Sequence, residues 1–214
     1  MSAAARPGEA DFALRETRAG SGLGRLAGVV ACFLIAAGTG LGATWLALEN
    51  NAGLDAVKAG PWTAWPRNGA PDADPYSRAV VARSGELPLG LGEGLAFTAT
   101  RDSARRPLVG RCIYRVTGRT PQTRAWTLTV SAPGGRLIPN AARRYGFTSE
   151  EIVRDGSGRF TIVLSREARP GNWLPVETEG RVELMLRLYD TPVSAVAAAL
   201  DPGLLPTIER DGCS

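Results

Sequence analysis

The sequence predicts a mainly β protein: an antiparallel, jelly-roll-like β-sandwich with a few short helices, preceded by one N-terminal transmembrane helix. Three observations indicate this class. A long uncharged stretch lies near the front of the chain. Behind it come short runs rich in Val, Ile, Thr and aromatic residues, separated by turn-forming residues. With 214 residues, 44% of them hydrophobic, we expect one globular domain with a substantial core.

The uncharged stretch covers residues 26–48, LAGVVACFLIAAGTGLGATWLAL. As a helix it would be about 34 Å long at about 1.5 Å per residue, which is enough to cross the bilayer core. It is longer than the apolar region of an ordinary cleaved signal peptide. We therefore expect an uncleaved anchor, with Trp45 as an interfacial aromatic residue near its outer end.

The charges around this stretch predict its orientation. Four arginines precede it, whereas only Lys58 follows it closely. Positive residues favour the cytoplasmic side of a membrane. The sequence therefore predicts a single-pass protein of a bacterial inner membrane, with a cytoplasmic segment 1–25 and a periplasmic remainder. The arginines are Arg6, Arg15, Arg18 and Arg25.

Glycines in the apolar stretch have the spacing that lets two membrane helices approach closely. One pair is Gly24 and Gly28, and the other is Gly38 and Gly42. This pattern predicts a possible homodimer through the membrane helix. The alternative is that the spacing reflects only the abundance of Gly and Ala in this segment.

Behind the anchor we expect a juxtamembrane linker, residues 49–73, and then the β-sandwich domain, residues 74–214. Asp74 followed by Pro75 predicts the start of a short helix, which Gly85 ends.

Two further helical pieces are expected among the strands. Thr148 and Glu151 have the spacing of a capping box, and Thr191-Pro192 opens the run VSAVAAAL.

The strand pattern is clearest in the last run, RVELMLRLY. Its Val and Leu residues alternate with Arg, Glu and Tyr, and only Met185 breaks the alternation. One face of this strand should be buried and the other exposed to solvent. The predicted strands are residues 95–102, 112–118, 124–132, 159–167 and 181–189.

The cysteines fit an exported domain. Cys32 lies in the apolar stretch, while Cys112 and Cys213 lie in the part that we place in the periplasm, where disulfides persist. The two form a candidate disulfide that would tie the C-terminal tail to an early strand. Two free thiols are the alternative.

The composition removes several function classes. The chain has no histidine, and Lys58 is its one lysine. This excludes Ser-His and Cys-His nucleophile pairs, and leaves no candidate for a Ser-Lys mechanism in the globular part. We expect no metal and no cofactor, because the two exported cysteines lie far apart in the sequence. We also expect no nucleic-acid partner, since the arginine excess is more simply explained by codon usage.

Other motifs have simple structural interpretations. GLGEG at residues 90–94 precedes a strand-like run, so it is predicted to be a turn and not a phosphate-binding loop. The pair Glu150 and Glu151 suits the first turn of a helix, and the pair Glu177 and Glu179 suits a surface loop.

Several segments together resemble a known family: WTLTV, GGRLIPNAARRYGF, DGSGRFTIV, GNWLP and LMLRLYDTP. In this order they are similar to the domain of unknown function (DUF) 1214 over about residues 90–192. The resemblance implies a jelly-roll β-sandwich. In many relatives a DUF 1254 domain precedes this one in the same chain, so a separately encoded DUF 1254-type partner is implied. The residues at recurring family positions, which carry no assigned role, are Trp126, Arg144, Tyr145, Asn172, Trp173, Pro175, Arg187 and Tyr189.

Trp173 stands between two breakers, Gly171 and Pro175, and has two interpretations. It turns inward and plugs one end of the sandwich, while Pro175 stops the loop from extending the sheet. Alternatively, Trp173, Arg187 and Tyr189 form the rim of a pocket. Together with Arg144, these three are the candidate ligand-binding residues, and we predict no catalytic residue.

These observations favour a membrane-anchored, non-enzymatic envelope module that docks a DUF 1254-type partner. The alternative is a carbohydrate- or anion-binding module, or a hydrolase, that uses Arg and carboxylate side chains.

Overall fold

A computed structural model describes residues 22–49, 56–84, 87–90, 92–192 and 201–213. The chain divides into two units between Leu46 and Ala47. The first holds all but the last three residues of the helix α1, Gly22–Glu49, which contains the predicted span 26–48. Residues Gly22–Ala47 are long and apolar enough to cross a membrane, with a mean hydropathy of 2.0. A signal sequence meets the same criteria.

The second unit is built mainly of β-strands. Its one α-helix among the described residues is α2, Pro75–Ser84. The strands are β1 Val57–Ala59, β2 Trp62–Ala64, β3 Gly94–Ala99, β4 Cys112–Gly118, β5 Ala125–Ala132, β6 Arg136–Leu137, β7 Gly146–Thr148, β8 Phe160–Ser165, β9 Asn172–Pro175, β10 Glu183–Tyr189 and β11 Thr207–Cys213.

The strands form two sheets. The larger has seven strands in the order β1-β2-β3-β10-β5, and β6 and β7 both pair with the far edge of β5. The smaller has the order β11-β4-β8-β9. Every named pair is antiparallel except β8 with β9, which is parallel. The prediction of a mainly β, antiparallel fold is confirmed, while its jelly-roll form stays a prediction.

The core lies between the two sheets, because each long strand alternates inward apolar residues with outward ones. In β10 the inward residues Leu184, Leu186 and Leu188 are fully buried, as predicted. The Trp126 ring of β5 stacks on the Phe160 ring of β8, with 4.9 Å between the ring centroids. This contact joins one sheet to the other.

The sandwich begins earlier in the chain than predicted. Residues 57–64 lie in the expected linker, yet they form β1 and β2 of the larger sheet. Thr63 of β2 pairs with Thr98 of β3. Trp62 is fully buried, and its indole N–H donates to the Pro206 carbonyl at 2.7 Å. The front strands are thus part of the folded domain.

The first predicted helix is confirmed as α2. Asp74 caps it, since one carboxylate oxygen accepts the backbone N–H groups of Tyr76 and Ser77 at 2.9 and 3.0 Å. The Ser77 hydroxyl donates to the other oxygen at 2.5 Å. The hydrogen bonds from Ser77, led by that of its side chain, hold the pKa of Asp74 below its usual value.

The helix predicted at Thr148 is wrong. The Glu151 carboxylate does accept the Thr148 N–H at 3.1 Å, as a capping box requires. However, the Val153 N–H, which a helix would bond to the Ser149 carbonyl, is taken by the Asn172 side chain at 2.8 Å. The chain therefore makes a turn and continues to an isolated bridge between Arg154 and Phe160. The other predicted helix, VSAVAAAL, lies at residues 193–200, outside the described residues.

The predicted disulfide between Cys112 and Cys213 is present and joins β4 to β11. Two hydrogen bonds between Ser103 and Ile208 also hold β11 in place. The Ser103 hydroxyl accepts the Ile208 N–H at 2.9 Å, and the Ile208 carbonyl accepts the Ser103 N–H at 2.8 Å. These bonds occupy Ile208 groups that pairing with β4 does not use, and so cover part of the sheet edge.

Candidate functional site

The residues predicted from the family pattern lie in different parts of the sandwich. Some line a cleft at one edge, between β7 and β9, which we call the edge cleft. Trp173 lies on the outer face of the smaller sheet. Arg187 and Tyr189 lie on the outer face of the larger sheet. Trp126 is in the core.

Asn172 opens β9 and is buried. Its side-chain oxygen accepts the Val153 N–H at 2.8 Å, and its amide group donates to the carbonyls of Val153 and Thr161 at 2.8 and 3.0 Å. These bonds use its oxygen and both amide hydrogens. Asn172 therefore clamps the loop before β8 onto the smaller sheet, which is a structural role.

Trp173 does not turn inward as predicted. The parallel register places it beside Val163, which faces away from the core, while its neighbours Asn172 and Leu174 are buried. The indole is half-buried and its N–H donates to the Ser165 carbonyl at 3.1 Å. The side chain is thus held in a defined orientation on the outer face of the smaller sheet. Pro175 does not stop this segment from extending the sheet, as was predicted, because residues 172–175 form the edge strand β9 and Pro175 is the partner of Ser165. A proline without an N–H is compatible with an edge strand.

Arg187 and Tyr189 lie on the outer face of β10 and are half-buried. Arg187 is flanked by Ala96 and Thr127 in the neighbouring strands. Because Trp173 belongs to the other sheet and also faces outward, the structure does not bring Trp173, Arg187 and Tyr189 together. A ligand-binding role for each of them stays a prediction.

The edge cleft has a volume of about 600 Å³ and contains three of the predicted residues. Its walls come from the loop before β7, the turn after β7 and the start of β9. The lining residues are Ala142, Arg143, Arg144, Tyr145, Gly146, Phe147, Glu151, Val153, Gly171 and Asn172.

Asn140 organises the loop that carries the arginines. It is buried, its side-chain oxygen accepts the Arg144 N–H at 3.0 Å, and its amide donates to the Arg144 carbonyl at 2.9 Å. The backbone carbonyl of Asn140 accepts the Arg143 N–H, and Arg143 has a φ of 51°. Asn140 and Arg143 were not among the residues predicted from the sequence. The available signal was an Asn in an irregular stretch, where its side chain commonly bonds to nearby backbone.

Arg144 is anchored on both sides of the cleft. Its guanidinium lies over the Phe147 ring, 5.0 Å from the centroid, and Nη1 donates to the Trp173 carbonyl at 3.4 Å. The first contact is a cation–π interaction, and the second joins the loop to the edge of β9. The side chain is therefore partly fixed before any ligand arrives.

Trp126 has a packing role. It is 1% exposed, and the Arg154 guanidinium lies 5.8 Å from its ring and 5.7 Å from that of Phe160. Among the described residues, no group accepts its indole N–H.

A second concave region, which we call the sheet groove, lies on the outer face of the smaller sheet and has a volume of about 450 Å³. Arg115 in this groove pairs with Asp211 at 2.6 Å. The hydrogen bond to Asp211, followed by its charge, raises the pKa of Arg115. The register places Val163 between Arg115 and Trp173. The lining residues are Ile113, Arg115, Thr161, Val163, Arg169, Pro170 and Asp211.

Two of the candidate carboxylates, Glu151 and Glu177, accept hydrogen bonds from backbone N–H groups and so have structural roles. Glu151 accepts the Thr148 N–H, and Glu177 accepts the Ala141 N–H at 3.0 Å. Within the described ranges, no group of three or more His, Cys, Asp or Glu side chains is arranged to hold a metal ion. The arrangement is suited to binding through arginine, tyrosine and backbone groups.

Comparison with known proteins gives the following similarities. Residues 93–193 match the family described as "Protein of unknown function (DUF1214)". No match was found among curated proteins. The VPA0106 protein from Vibrio parahaemolyticus has a similar solved structure, with 22% identity and a TM-score of 0.51. An uncharacterised protein from Burkholderia cenocepacia gives 23% identity and a TM-score of 0.38.

Both solved proteins are longer than the shared region. Each similarity covers 67% of this chain, but only 37% of the Vibrio protein and 44% of the Burkholderia protein. In the Vibrio protein a similar fold is thus one part of a longer chain.

Proposed function

Since residues 93–193 match the DUF1214 family, we propose that the chain is a membrane-anchored interaction domain, without catalytic activity of its own, that docks a partner protein on the periplasmic face of a bacterial inner membrane.

Two features support the location. The helix α1 is long and apolar enough to act as an anchor, and the arginine excess in front of it favours a cytoplasmic N-terminus. The Cys112–Cys213 disulfide suits an oxidising compartment outside the cytoplasm. Topology is tested by labelling Cys112→Ser, in which the exposed Cys213 thiol is free, with membrane-impermeant reagents.

The partner proposal is supported by the coverage of the Vibrio protein, because the matched region makes up only 37% of that protein and further polypeptide accompanies the fold there. DUF 1214 domains in many relatives follow a DUF 1254 domain. We therefore expect a separately encoded DUF 1254-type protein as the partner.

The outer face of the larger sheet is the surface that we assign to this contact. On β10 its half-buried long side chains are Glu183, Met185, Arg187 and Tyr189. The neighbours of the last three in β3 and β5 are short, and are Gly94, Ala96, Thr98, Ala125, Thr127 and Thr129. A flat surface with a few protruding aromatic, Met and Arg side chains has the composition typical of interface cores.

Purification of the full chain from native membranes in mild detergent, followed by mass analysis of the bound proteins, tests this function. We expect a stoichiometric DUF 1254-type protein. Met185→Glu places a charge in the centre of the proposed face and should release the partner. Leu137→Glu, at an exposed position on β6, is the control. Wild-type chain that retains no protein, or Met185→Glu chain that retains it fully, would contradict the proposal.

The homodimer expected from the glycine pairs of α1 is tested in the same preparation. Cross-linking before extraction should give a dimer of this chain that Gly38→Leu removes. Recovery of monomer alone from wild type would reject it.

A carbohydrate-binding function is the second candidate, and the sheet groove favours it. Trp173 has its ring orientation fixed by Ser165 and stands next to Val163, which lines the groove with Arg115. An aromatic face beside charged hydrogen-bonding groups suits a sugar ring. Binding to an array of oligosaccharides that Trp173→Ala abolishes would favour this candidate, whereas equal binding by Trp173→Ala would exclude it.

A further inference from the structure

The edge cleft brings two neighbouring arginines to one place. Side chains of adjacent residues on an extended strand point to opposite faces. Here the chain turns at Arg143, whose φ of 51° is left-handed, and both Arg143 and Arg144 line the cleft. Glu151 is the one acidic residue of the lining, and its carboxylate accepts the Thr148 N–H. The lining therefore has an excess of positive charge.

The loop that holds these arginines is built from specific polar contacts. The buried Asn140 side chain bonds to both the N–H and the carbonyl of Arg144. The Glu177 carboxylate accepts the Ala141 N–H from across the fold. A left-handed conformation is unfavourable for arginine and persists only where its surroundings impose it. The contacts thus maintain a strained backbone that directs positive charge into the cleft.

The orientation of Arg144 is also fixed. Its guanidinium stacks on Phe147, with one nitrogen donating to the Trp173 carbonyl. A guanidinium has five N–H donors in a planar fork that matches the oxygens of carboxylate and phosphate groups. The half-buried Tyr145 also lines the cleft.

We infer that the edge cleft binds an oxyanion, the carboxylate or phosphate group of a small ligand, through Arg143 and Arg144. The volume of about 600 Å³ is within the range of small-molecule sites. This inference is independent of the partner proposed above, because the cleft lies at the β7 and β9 edge and the proposed docking face centres on β10.

Calorimetric titration of the full chain in mild detergent tests the site. The probes are succinate, inorganic phosphate and, as a neutral control, glucose, all at constant ionic strength. We expect saturable binding of at least one anion and none of glucose. The stronger of the two anions identifies the ligand as a carboxylate or a phosphate.

Arg143→Gly separates binding from folding, because glycine suits a φ of 51° while the charge is lost. It should weaken anion binding about tenfold, the loss expected for one charge-assisted hydrogen bond, without lowering the unfolding midpoint. Arg136→Ala, at an exposed position on β6 outside the cleft, should bind as wild type does. The inference is overturned if wild type binds neither anion, if Arg143→Gly keeps wild-type affinity, or if Arg136→Ala loses as much.

Discussion

Cys112 and Cys213 are 101 positions apart and form a disulfide between β4 and β11. The bond closes a covalent loop that contains β4 to β11. Of the described strands, β1, β2 and β3 lie outside this loop. The last strand of the fold is therefore attached to an early one by a bond that does not depend on packing.

We expect Cys213→Ser to lower the free energy of unfolding by about 2–5 kcal/mol, because the disulfide restricts the unfolded chain. Denaturant unfolding of the full chain in detergent measures this change. Cys32→Ser, which alters the remaining cysteine, should leave stability unchanged. Alkylation of the unreduced protein should label one cysteine, and labelling of all three would contradict the disulfide.

Asp102 connects the loop after β3 to the last strand. It is 1% exposed, and its carboxylate accepts the Arg106 side chain at 2.8 Å and lies 3.4 Å from the Arg210 guanidinium. We expect Asp102→Ala to lower the free energy of unfolding by about 1–3 kcal/mol, because the Arg106 backbone N–H and the mostly buried Arg210 guanidinium lose their partner.

The surface pair Arg67–Asp72 provides the matched comparison. It is as close, at 2.5 Å, but both side chains are half or more exposed. Asp72→Ala should change the free energy of unfolding by less than about 1 kcal/mol. If Asp102→Ala and Asp72→Ala lose the same free energy of unfolding in the same denaturant series, burial does not decide how much the contacts of Asp102 stabilise the fold.

Asn172, which the family resemblance singled out, has a structural role in this fold. We expect Asn172→Ala to lower stability by about 1–3 kcal/mol, because it removes the partner of the Val153 N–H and leaves two carbonyls without the donors of a buried side chain. Thermal unfolding and hydrogen exchange at Val153 measure the change. Gln122→Ala, an exposed amide residue, is the control. Wild-type protection of the Val153 amide in Asn172→Ala would show that the clamp is not needed.

The features predicted correctly were those that local pattern determines. The long strands were found because burial alternates with a period of two, and α2 because Asp74 and Pro75 mark its start. The strands β1 and β2 were missed because three residues carry no recognisable period. The contact that fixes them, from Trp62 to Pro206, spans 144 positions.

The site was harder to predict than the fold, since it depends on which strands become neighbours. The parallel pairing of β9 with β8 decides that Trp173 faces outward, and nothing in its own segment specifies that register. Likewise, the helix expected at Thr148 was displaced by a side chain from β9. Contacts between distant segments therefore overrode local signals near the edge cleft.

The cap of α2 gives a prediction about pH. Hydrogen bonds from Ser77 lower the pKa of Asp74 in the folded protein. A carboxylate with a depressed pKa stabilises the fold at pH values above its unfolded pKa, near 3.8, and this contribution is lost as the pH falls through the folded pKa. Asp74→Asn keeps a capping oxygen but cannot titrate.

We therefore expect wild type to be more stable than Asp74→Asn at neutral pH, and the difference to shrink below pH 3.8. Denaturant unfolding of both proteins across the acid range measures this difference, and subtracting one from the other removes the contribution of other carboxylates such as Asp155. Asp74→Ala should be less stable than Asp74→Asn at every pH, because it removes the cap altogether. A difference between wild type and Asp74→Asn that stays constant through the acid range would show that the ionised form of Asp74 is not what stabilises α2.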